Sequence, residues 1–531
     1  MKLKKFNIFF FTFIIFLLFL KIDFRLQDDV FCCSDDSDYF MHSETIVEDF
    51  DFDYTNQLGV YEKARFFKDK SAPIGFPGSG VFAAPFMFIG ISLDRIFQKL
   101  FNLNNEITNF KIYFYSISSI FYTLVSINLL TKSLEILKVK HNPLHIFVLF
   151  LGSGVTYYAF ERYSMTHSYE VFSMSILIYL SAKYFRNEQK NNLEKILISF
   201  FMVLGFYVKW VYFYIFFIPL IIKNIYFKNS KKKLYSTKEF LISIGSFTLI
   251  ALNLSNKIYG EFTLNASYVY GKNLASIAVK NFNENIIYLF ELLKNFTIIL
   301  FTQEFGLLWF QPIVFVSTII VIYNFFNKLI NKNIEKSDLI LILTFAQVFI
   351  IQAMWESTGS SYGFRYIVNL TPIALIVYYS NLKKLKPKLV HKFLIYLSVF
   401  SFLSTLFFET TPDTQLSLEK TINSFGEMSW YTQKNYLTGY LKSFFSFDAY
   451  LKIFITSYLG LMFLKPVLYI FSVDSLNSTF SKFGLPVNNE KFQILIEKAD
   501  QISGLYFVIV VITIFFFVKL IYNTISESSN D

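Results

Sequence analysis

Two adjacent aspartates, Asp35 and Asp36, follow the first apolar segment of the chain and are the first candidates for chemistry. They begin the stretch 35–53, which carries eight carboxylates although only 17% of the chain is charged. A carboxylate close to the end of a membrane helix is partly shielded from water, and a general base needs both a tuned pKa and a fixed position. A functional role is therefore favoured for this pair. A solvated linker is the favoured reading for four of the others: Glu44, Asp49, Asp51 and Asp53.

Two basic residues also have contexts that favour a function. Lys209 lies at the predicted turn between two apolar segments, next to Trp210, where a charge at membrane depth is costly. It could bind an anion, or it could only extend its ammonium to the membrane surface. Arg365 follows a Gly/Ser-rich segment and is the only arginine after residue 186. Its planar guanidinium can hold a phosphate through two parallel hydrogen bonds.

The segments around these residues predict an all-α, polytopic membrane protein with about 11 to 13 spans. Apolar residues form 54% of the 531 residues, and the mean hydropathy is +0.44. Apolar blocks of about 14–22 residues recur along the chain, close to the length that crosses a bilayer as helix. The alternating segments of a β-barrel are not seen. The net charge of +10 is concentrated in connectors between the blocks, which indicates anionic lipid headgroups and excludes nucleic acid as the partner. The adjacent Cys32 and Cys33 give no disulfide framework.

The lysine distribution predicts how the chain crosses the membrane. Residues 1–21 resemble a signal anchor retained as the first span, with a charged start and no small-residue cleavage site. If the N-terminus is cytoplasmic and the apolar stretch 80–101 does not cross, all lysine-bearing connectors become cytoplasmic. Residues 22–109 then form a long extracytoplasmic loop with juxtamembrane helices. The predicted spans are 8–21, 110–131, 144–160, 169–185, 195–208, 211–227, 239–256, 307–326, 338–354, 364–381 and 391–408, followed by 447–471 and 503–523.

Four segments in chain order resemble signatures of the bacterial GT-C glycosyltransferases. These enzymes depend on polyprenyl-phosphate sugars and are related to protein mannosyltransferases and lipid A aminoarabinose transferases. Asp36 stands where the family usually has Glu, Ser37-Asp38 replaces Pro-His, and Thr358 replaces a Gly. The segments are Asp35-Asp36-x-x-Tyr39 with Glu48-Asp49-x-Asp51-x-Asp53, Pro73-Ile74-Gly75-Phe76-Pro77, Gly306-Leu307-Leu308-Trp309-Phe310-Gln311-Pro312, and Trp355-x-x-Thr358-Gly359-Ser360-Ser361-Tyr362-Gly363-x-Arg365-Tyr366.

The resemblance implies an inverting transfer of a sugar from a polyprenyl phosphate to an acceptor hydroxyl at the extracytoplasmic face of a bacterial-type plasma membrane. Asp35 would be the base, and Asp36 would orient the acceptor or assist. In the family a residue of the next outer loop faces this base, and the candidates are Glu161 and His167, with simple helix capping as the alternative. Lys209 and Arg365 would hold the donor phosphate. The remaining predicted lining residues are aromatic: Tyr39, Trp355 and Tyr362.

The sequence leaves open the metal requirement, the role of residues 409–531 and two alternative functions. Some family members use Mg²⁺ or Mn²⁺ and others need no metal, so no metal site is assigned. The match covers residues 1–408, which we take as the catalytic core, whereas 409–531 is an extension with one or two further spans and no motif of its own. A flippase for lipid-linked sugars would carry charges in the middle of helices and an inverted repeat, and no repeat is visible. A polymerase or ligase of surface polysaccharide would differ chiefly in its acceptor.

Overall fold

The computed structural model describes most of the first 407 residues and little of the chain beyond them. The predicted spans 8–21 and 503–523 and nearly all of 409–531 lie outside the described residues. The described ranges are 34–57, 66–67, 70–73, 75–101, 110–160, 162–187, 192–264, 294–302, 306–354, 363–382, 387–407 and 436–447, with single positions at 450, 454, 460, 475, 478 and 482.

The described chain is mostly helical, with one short antiparallel hairpin. Its strands are β1 (Phe66–Phe67) and β2 (Lys70–Ser71). Two short 3₁₀ segments, Phe213–Phe217 and Arg365–Leu370, precede α8 and α13. The helices are α1 Ser34–Glu44, α2 Gly78–Phe101, α3 Phe110–Ile136, α4 Pro143–Phe150, α5 Thr156–Phe160, α6 His167–Arg186, α7 Asn192–Val208, α8 Ile218–Tyr226, α9 Lys238–Tyr259, α10 Leu307–Phe310, α11 Pro312–Ile330, α12 Lys336–Met354, α13 Thr371–Asn381, α14 Pro387–Phe407 and α15 Tyr436–Phe444.

Six helical segments are long and apolar enough to cross a membrane. This confirms the predicted helical membrane protein, while the number of spans and their orientation stay predictions. Helices suit a bilayer because each satisfies its own backbone hydrogen bonds. The six segments are Gly78–Leu100, Phe110–Ile136, Pro143–Phe160, Lys238–Tyr259, Pro312–Ile330 and Lys336–Ala353.

Contacts between connectors define two ends of the bundle. At one end Arg186 Nη1 donates to the carbonyl of Ile136 at 2.7 Å, and Tyr226 hydrogen-bonds to Ser380. We call this the lysine end, comprising the connector residues 137–142, 187, 227–237, 331–335 and 382. The helices that leave it converge at the opposite end, which comprises 162–166, 209–212, 260–264 and 363–364. There Tyr212 Oη donates to the carbonyl of Tyr366 at 2.9 Å.

Helix α2 packs antiparallel to the first half of α3. Tyr122 Oη donates to the carbonyl of Phe82 at 3.0 Å, and Asp94 accepts the backbone N–H groups of Phe110 and Lys111, capping the start of α3. The start of α2 lies at the opposite end, because a Cβ on Gly78 would come within 2.4 Å of the backbone nitrogen of Val208. By length and composition α2 could cross a membrane, whereas its contacts keep it beside the half of α3 that is remote from the lysine end. That the stretch 80–101 does not cross stays a prediction.

The helical segment 143–160 is interrupted between α4 and α5. The turn Leu151–Val155 is a π-helical bulge in which Gly154 has φ of +83°, a conformation that only glycine adopts without strain. Gly152 lets α14 approach closely, since a Cβ there would lie 2.3 Å from the carbonyl oxygen of Ser398. Small residues at such crossings are typical of helices that pack in membranes. This bulge brings α5 to the opposite end, next to the loop 162–166.

Candidate functional site

Asp36 is held by two side chains from the loop that follows α5. Arg162 Nη2 lies 3.0 Å from Asp36 Oδ2, and Ser164 Oγ donates to Asp36 Oδ1 at 2.7 Å. All three residues are buried. Both carboxylate oxygens of Asp36 are thus engaged by side chains of the protein. The geometry therefore favours the orienting role for Asp36 over that of the base.

Hydrogen bonds of His42 help to hold α1, the helix of the first loop, against the rest of the bundle. The Nε2 atom of His42 lies 3.2 Å from the carbonyl oxygen of Gly75, which can only accept, so Nε2 carries the hydrogen and Nδ1 accepts from Tyr54 Oη at 2.6 Å. Burial lowers the pKa of His42 to about 3, so the ring is neutral at physiological pH. Ser43 Oγ donates to the carbonyl of Gly80 at 3.2 Å. These contacts fix α1 against the start of α2.

The remaining acidic residues of the first loop make local structural contacts. Lys111, at the start of α3, forms an ion pair with Glu44 and lies 2.6 Å from Glu48 Oε1. Burial raises the pKa of Glu44, while Lys111 opposes this effect. Asp49 accepts from Asn56 at 2.9 Å. These contacts account for part of the acidic run without assigning it any chemistry.

Lys209 connects α1 to the segment that carries Arg365. Its Nζ lies 3.4 Å from Tyr39 Oη, 5.9 Å from the centroid of the Tyr39 ring and 5.5 Å from the centroid of the Tyr366 ring. Ammonium groups over tyrosine faces are attracted by the ring quadrupole. In the described part of the chain no carboxylate forms a salt bridge with Lys209. The buried carboxylate of Glu170 is nevertheless near enough for its charge to interact with that of the half-buried Lys209 ammonium.

Arg365 lies beside the same tyrosine ring. Its Cζ is 5.1 Å from the centroid of the Tyr366 ring, and its Nη2 is 3.4 Å from Tyr366 Oη. The two cations that the sequence predicts as phosphate ligands are thus both within 6 Å of one ring centroid. Tyr366 itself is buried, and its backbone N–H donates to Gln352 Oε1 at 3.1 Å. This arrangement fixes a pair of cations at the opposite end of the bundle.

His167 and Glu170 form a second buried polar group next to these cations. His167 Nδ1 lies 3.2 Å from Glu170 Oε1, and Asn369 Nδ2 donates to Glu170 Oε2 at 3.4 Å. The rings of His167 and Tyr366 are 6.5 Å apart in an edge-to-face arrangement. His167 thus lies at the same end as Asp36 and Lys209, and its close partner there is Glu170.

Four predicted site residues cannot be placed by their side chains. Glu161, Trp355 and Tyr362 lie outside the described residues, and of Asp35 only the backbone, within α1, is described. Among the described side chains no three His, Cys, Asp or Glu residues are grouped as a metal site would require. The metal question left open above therefore remains one for experiment.

Sequence reasoning missed three residues of this end. Arg162 and Glu170 belong to the loop and helix start that the analysis had considered, where Glu161 and His167 were preferred. The scarcity of arginine, with Arg162 placed in that loop, could have pointed to a partner for Asp36. Tyr366 stood within a quoted motif but was assigned no role. Its ring lies near two cations, and it belongs to the 3₁₀ turn that starts at Arg365.

Comparison with known proteins adds no name to this site. No family model, curated protein or solved structure matches the chain. The likeness to the GT-C glycosyltransferases therefore rests on the four sequence segments alone.

Proposed function

We propose that this protein is an inverting glycosyltransferase that moves a sugar from a polyprenyl-phosphate carrier to an acceptor hydroxyl at the extracytoplasmic membrane face. The observation that carries the proposal is the position of Lys209. Its ammonium contacts Tyr39 from the first loop and the ring of Tyr366, beside which Arg365 also lies. The first loop, the turn at Lys209 and the segment at Arg365 are therefore adjacent in space.

The proposed reaction requires positive charge next to the phosphate leaving group. In the proposed reaction the acceptor oxygen bonds to the anomeric carbon as the bond from that carbon to the phosphate oxygen breaks. The acceptor proton passes to the Asp35 carboxylate, and the polyprenyl phosphate leaves with the electron pair of the broken bond. Lys209 and Arg365 would stabilise the phosphate as its charge grows, an electrostatic contribution that is large in a site shielded from water. The buried Arg162–Asp36 pair would hold α1, and with it Asp35, in register.

The distribution of buried charge supports an enzyme over a carrier. A carrier of charged lipid-linked sugars would hold ionisable groups in the middle of its helices. Outside α1, the buried Asp, Glu, Lys and Arg residues of the described helices lie instead in first turns: Glu170 in α6, Glu194 and Lys195 in α7, and Asp338 in α12. Polar chemistry is thus concentrated at the ends of the bundle. The resemblance leaves the acceptor open between a lipid, a glycan and a protein.

The proposal is tested by comparing cells with and without this protein. Mass spectrometry of their lipid extracts and surface glycans measures donor and product pools together. Loss of the protein should cause one polyprenyl-phosphate sugar to accumulate, and one glycan should lose the same sugar. Unchanged pools of both would refute the proposal. Loss of the glycan with the lipid-linked sugar trapped on the cytoplasmic leaflet would favour the carrier instead.

A further inference from the structure

A cavity of about 910 Å³ opens at the lysine end, remote from the candidate active site. It is lined by the connector after α3 and by the lysine-end parts of α4, α8, α11, α12, α13 and α14, with connector residues that follow α8, α11 and α13. Four lysines line it, namely Lys138, Lys140, Lys228 and Lys328, against two carboxylates, Glu335 and Asp338. Both carboxylates are already engaged: Lys328 Nζ lies 2.8 Å from Asp338 Oδ1, and Lys228 forms an ion pair with Glu335. Lys138 and Lys140 form no ion pair within the described part of the chain.

A hydrogen-bonded chain of side chains supplies a further donor to this cavity. Tyr378 Oη lies 2.7 Å from His391 Nδ1, and His391 Nε2 lies 2.6 Å from His145 Nδ1. Among the described residues the Tyr378 hydroxyl has no other acceptor, so it donates to His391. His391 then donates from Nε2, and His145, which lines the cavity, carries its own hydrogen on Nε2. A neutral imidazole N–H is a donor that an anion can accept.

Tyr379 provides a second, independent indication of a ligand. It lines the cavity and is 4% exposed, and its hydroxyl has no hydrogen-bond partner in the described structure. A buried hydroxyl without a partner is costly, because it has lost its water without replacement. Aliphatic side chains complete the lining, including Ile225, Leu341 and Val377. The cavity therefore combines unpaired cations and neutral donors with an apolar wall.

We propose that this cavity binds a phosphate ester, held by Lys138, Lys140, the Nε2–H of His145 and the hydroxyl of Tyr379. The same chemistry would serve the headgroup of an anionic membrane lipid or a soluble phosphate compound. Positive residues at membrane surfaces attract anionic lipid in general, and clusters between helices form specific headgroup pockets. The proposal is independent of the glycosyltransferase assignment, since the cavity and the candidate active site lie at different ends.

Binding of phosphatidylglycerol to the purified full-length protein in detergent tests this site by native mass spectrometry, with phosphatidylcholine as the zwitterionic comparison. The double variant Lys138→Gln/Lys140→Gln should weaken phosphatidylglycerol binding about tenfold. The matched control Lys231→Gln/Lys233→Gln removes the same charge from the lysine end outside the cavity lining and should change binding little. Equal weakening by both pairs, or by neither, would overturn the proposal.

The variant Tyr379→Phe separates a built site from a merely charged surface. It leaves the net charge unchanged and removes a hydroxyl that no described residue bonds, so the fold should tolerate it. Phosphatidylglycerol binding should weaken about threefold, the typical effect of one neutral hydrogen bond. Unchanged affinity would refute the contact and the site as stated. Displacement of the lipid by inorganic pyrophosphate would identify a soluble phosphate compound as the ligand, and resistance to it would identify the lipid.

Discussion

Arg162 and Asp36 form a buried ion pair across 126 positions of the chain, with 3.0 Å between Nη2 and Oδ2. The pair joins α1 of the first loop to the loop that follows α5. Each side chain is only 2% exposed, so neither charge is solvated by water. The value of such a pair lies in its geometry, since the attraction must first offset the cost of removing both charges from water. Here it fixes the helix that carries Asp35.

Removing one partner of this ion pair should destabilise the protein more than replacing both partners with apolar residues. Asp36→Asn leaves the Arg162 guanidinium buried without its carboxylate, and we expect a loss of about 3–5 kcal/mol. The double variant Asp36→Leu/Arg162→Met should recover much of that stability, because it removes both charges. Thermal denaturation in detergent of the wild-type protein, Asp36→Asn, the single variants Asp36→Leu and Arg162→Met, and the double variant measures the coupling. A double variant as unstable as the sum of the two single variants would contradict the buried-pair account.

Gly152 and Gly245 give a matched test of helix packing. A Cβ at Gly152 would meet the backbone of Ser398 at 2.3 Å, whereas a Cβ at Gly245 would meet nothing within 4 Å. Gly152→Ala should therefore cost about 1–3 kcal/mol by overpacking the contact with α14. Gly245→Ala should be neutral or stabilise the protein by about 0.5–1 kcal/mol, because glycine is a poor helix residue. Thermal denaturation checks both, and equal effects would refute the close approach.

The topology can be tested with single cysteines in a variant that lacks Cys32 and Cys33. If the stretch 80–101 does not cross, a cysteine at Asn104 should react with an impermeant thiol reagent on intact cells. A cysteine at Lys138, at the lysine end, should react only after the cells are permeabilised. The reverse pattern would contradict the predicted orientation, and it would place the candidate active site on the cytoplasmic side.

Substitutions of Arg365 and Lys209 should weaken binding of the donor more than binding of the acceptor. Arg365→Lys keeps the charge but loses the paired hydrogen bonds, and Arg365→Ala loses both. Because a hydrogen bond to a charged group contributes about 1.5–3 kcal/mol, we expect the donor KM to rise about tenfold or more in Arg365→Ala, with the acceptor KM little changed. Lys209→Gln should act in the same direction.

Arg186→Ala is the control for this pair of cations, since it removes the same charge at the lysine end. Steady-state kinetics, or binding of undecaprenyl phosphate to purified protein, measures the effect. If Arg365→Ala keeps the donor affinity of the wild type, Arg365 is a structural residue, and Lys209 becomes the leading phosphate contact.

The helical class and the positions of five long apolar helices could be predicted from the sequence, because the length of an apolar block and the lysine-rich connectors around it indicate a membrane helix. The structure brings the described residues of the predicted cytoplasmic connectors to one end, and it brings Asp36, Tyr39, His167, Lys209 and Arg365 to the other. For the Arg162–Asp36 pair the sequence offers only the scarcity of arginine as a signal, since the contact itself depends on how α5 ends after the bulge at Gly154. The Tyr379 hydroxyl gives no signal in sequence, because only packing shows that it lacks a partner.

The central claim is tested most directly by returning variants to cells that lack the protein and measuring lipid-linked sugar and glycan by mass spectrometry. The wild-type protein should restore the glycan and clear the accumulated polyprenyl-phosphate sugar. Asp35→Asn keeps the size of the side chain but removes its basicity, so transfer should fall at least about a hundredfold and both pools should remain as in the deletion. Asp53 is an exposed carboxylate of the same loop. Asp53→Asn should therefore restore the glycan and clear the accumulated polyprenyl-phosphate sugar. Full restoration by Asp35→Asn would contradict the account.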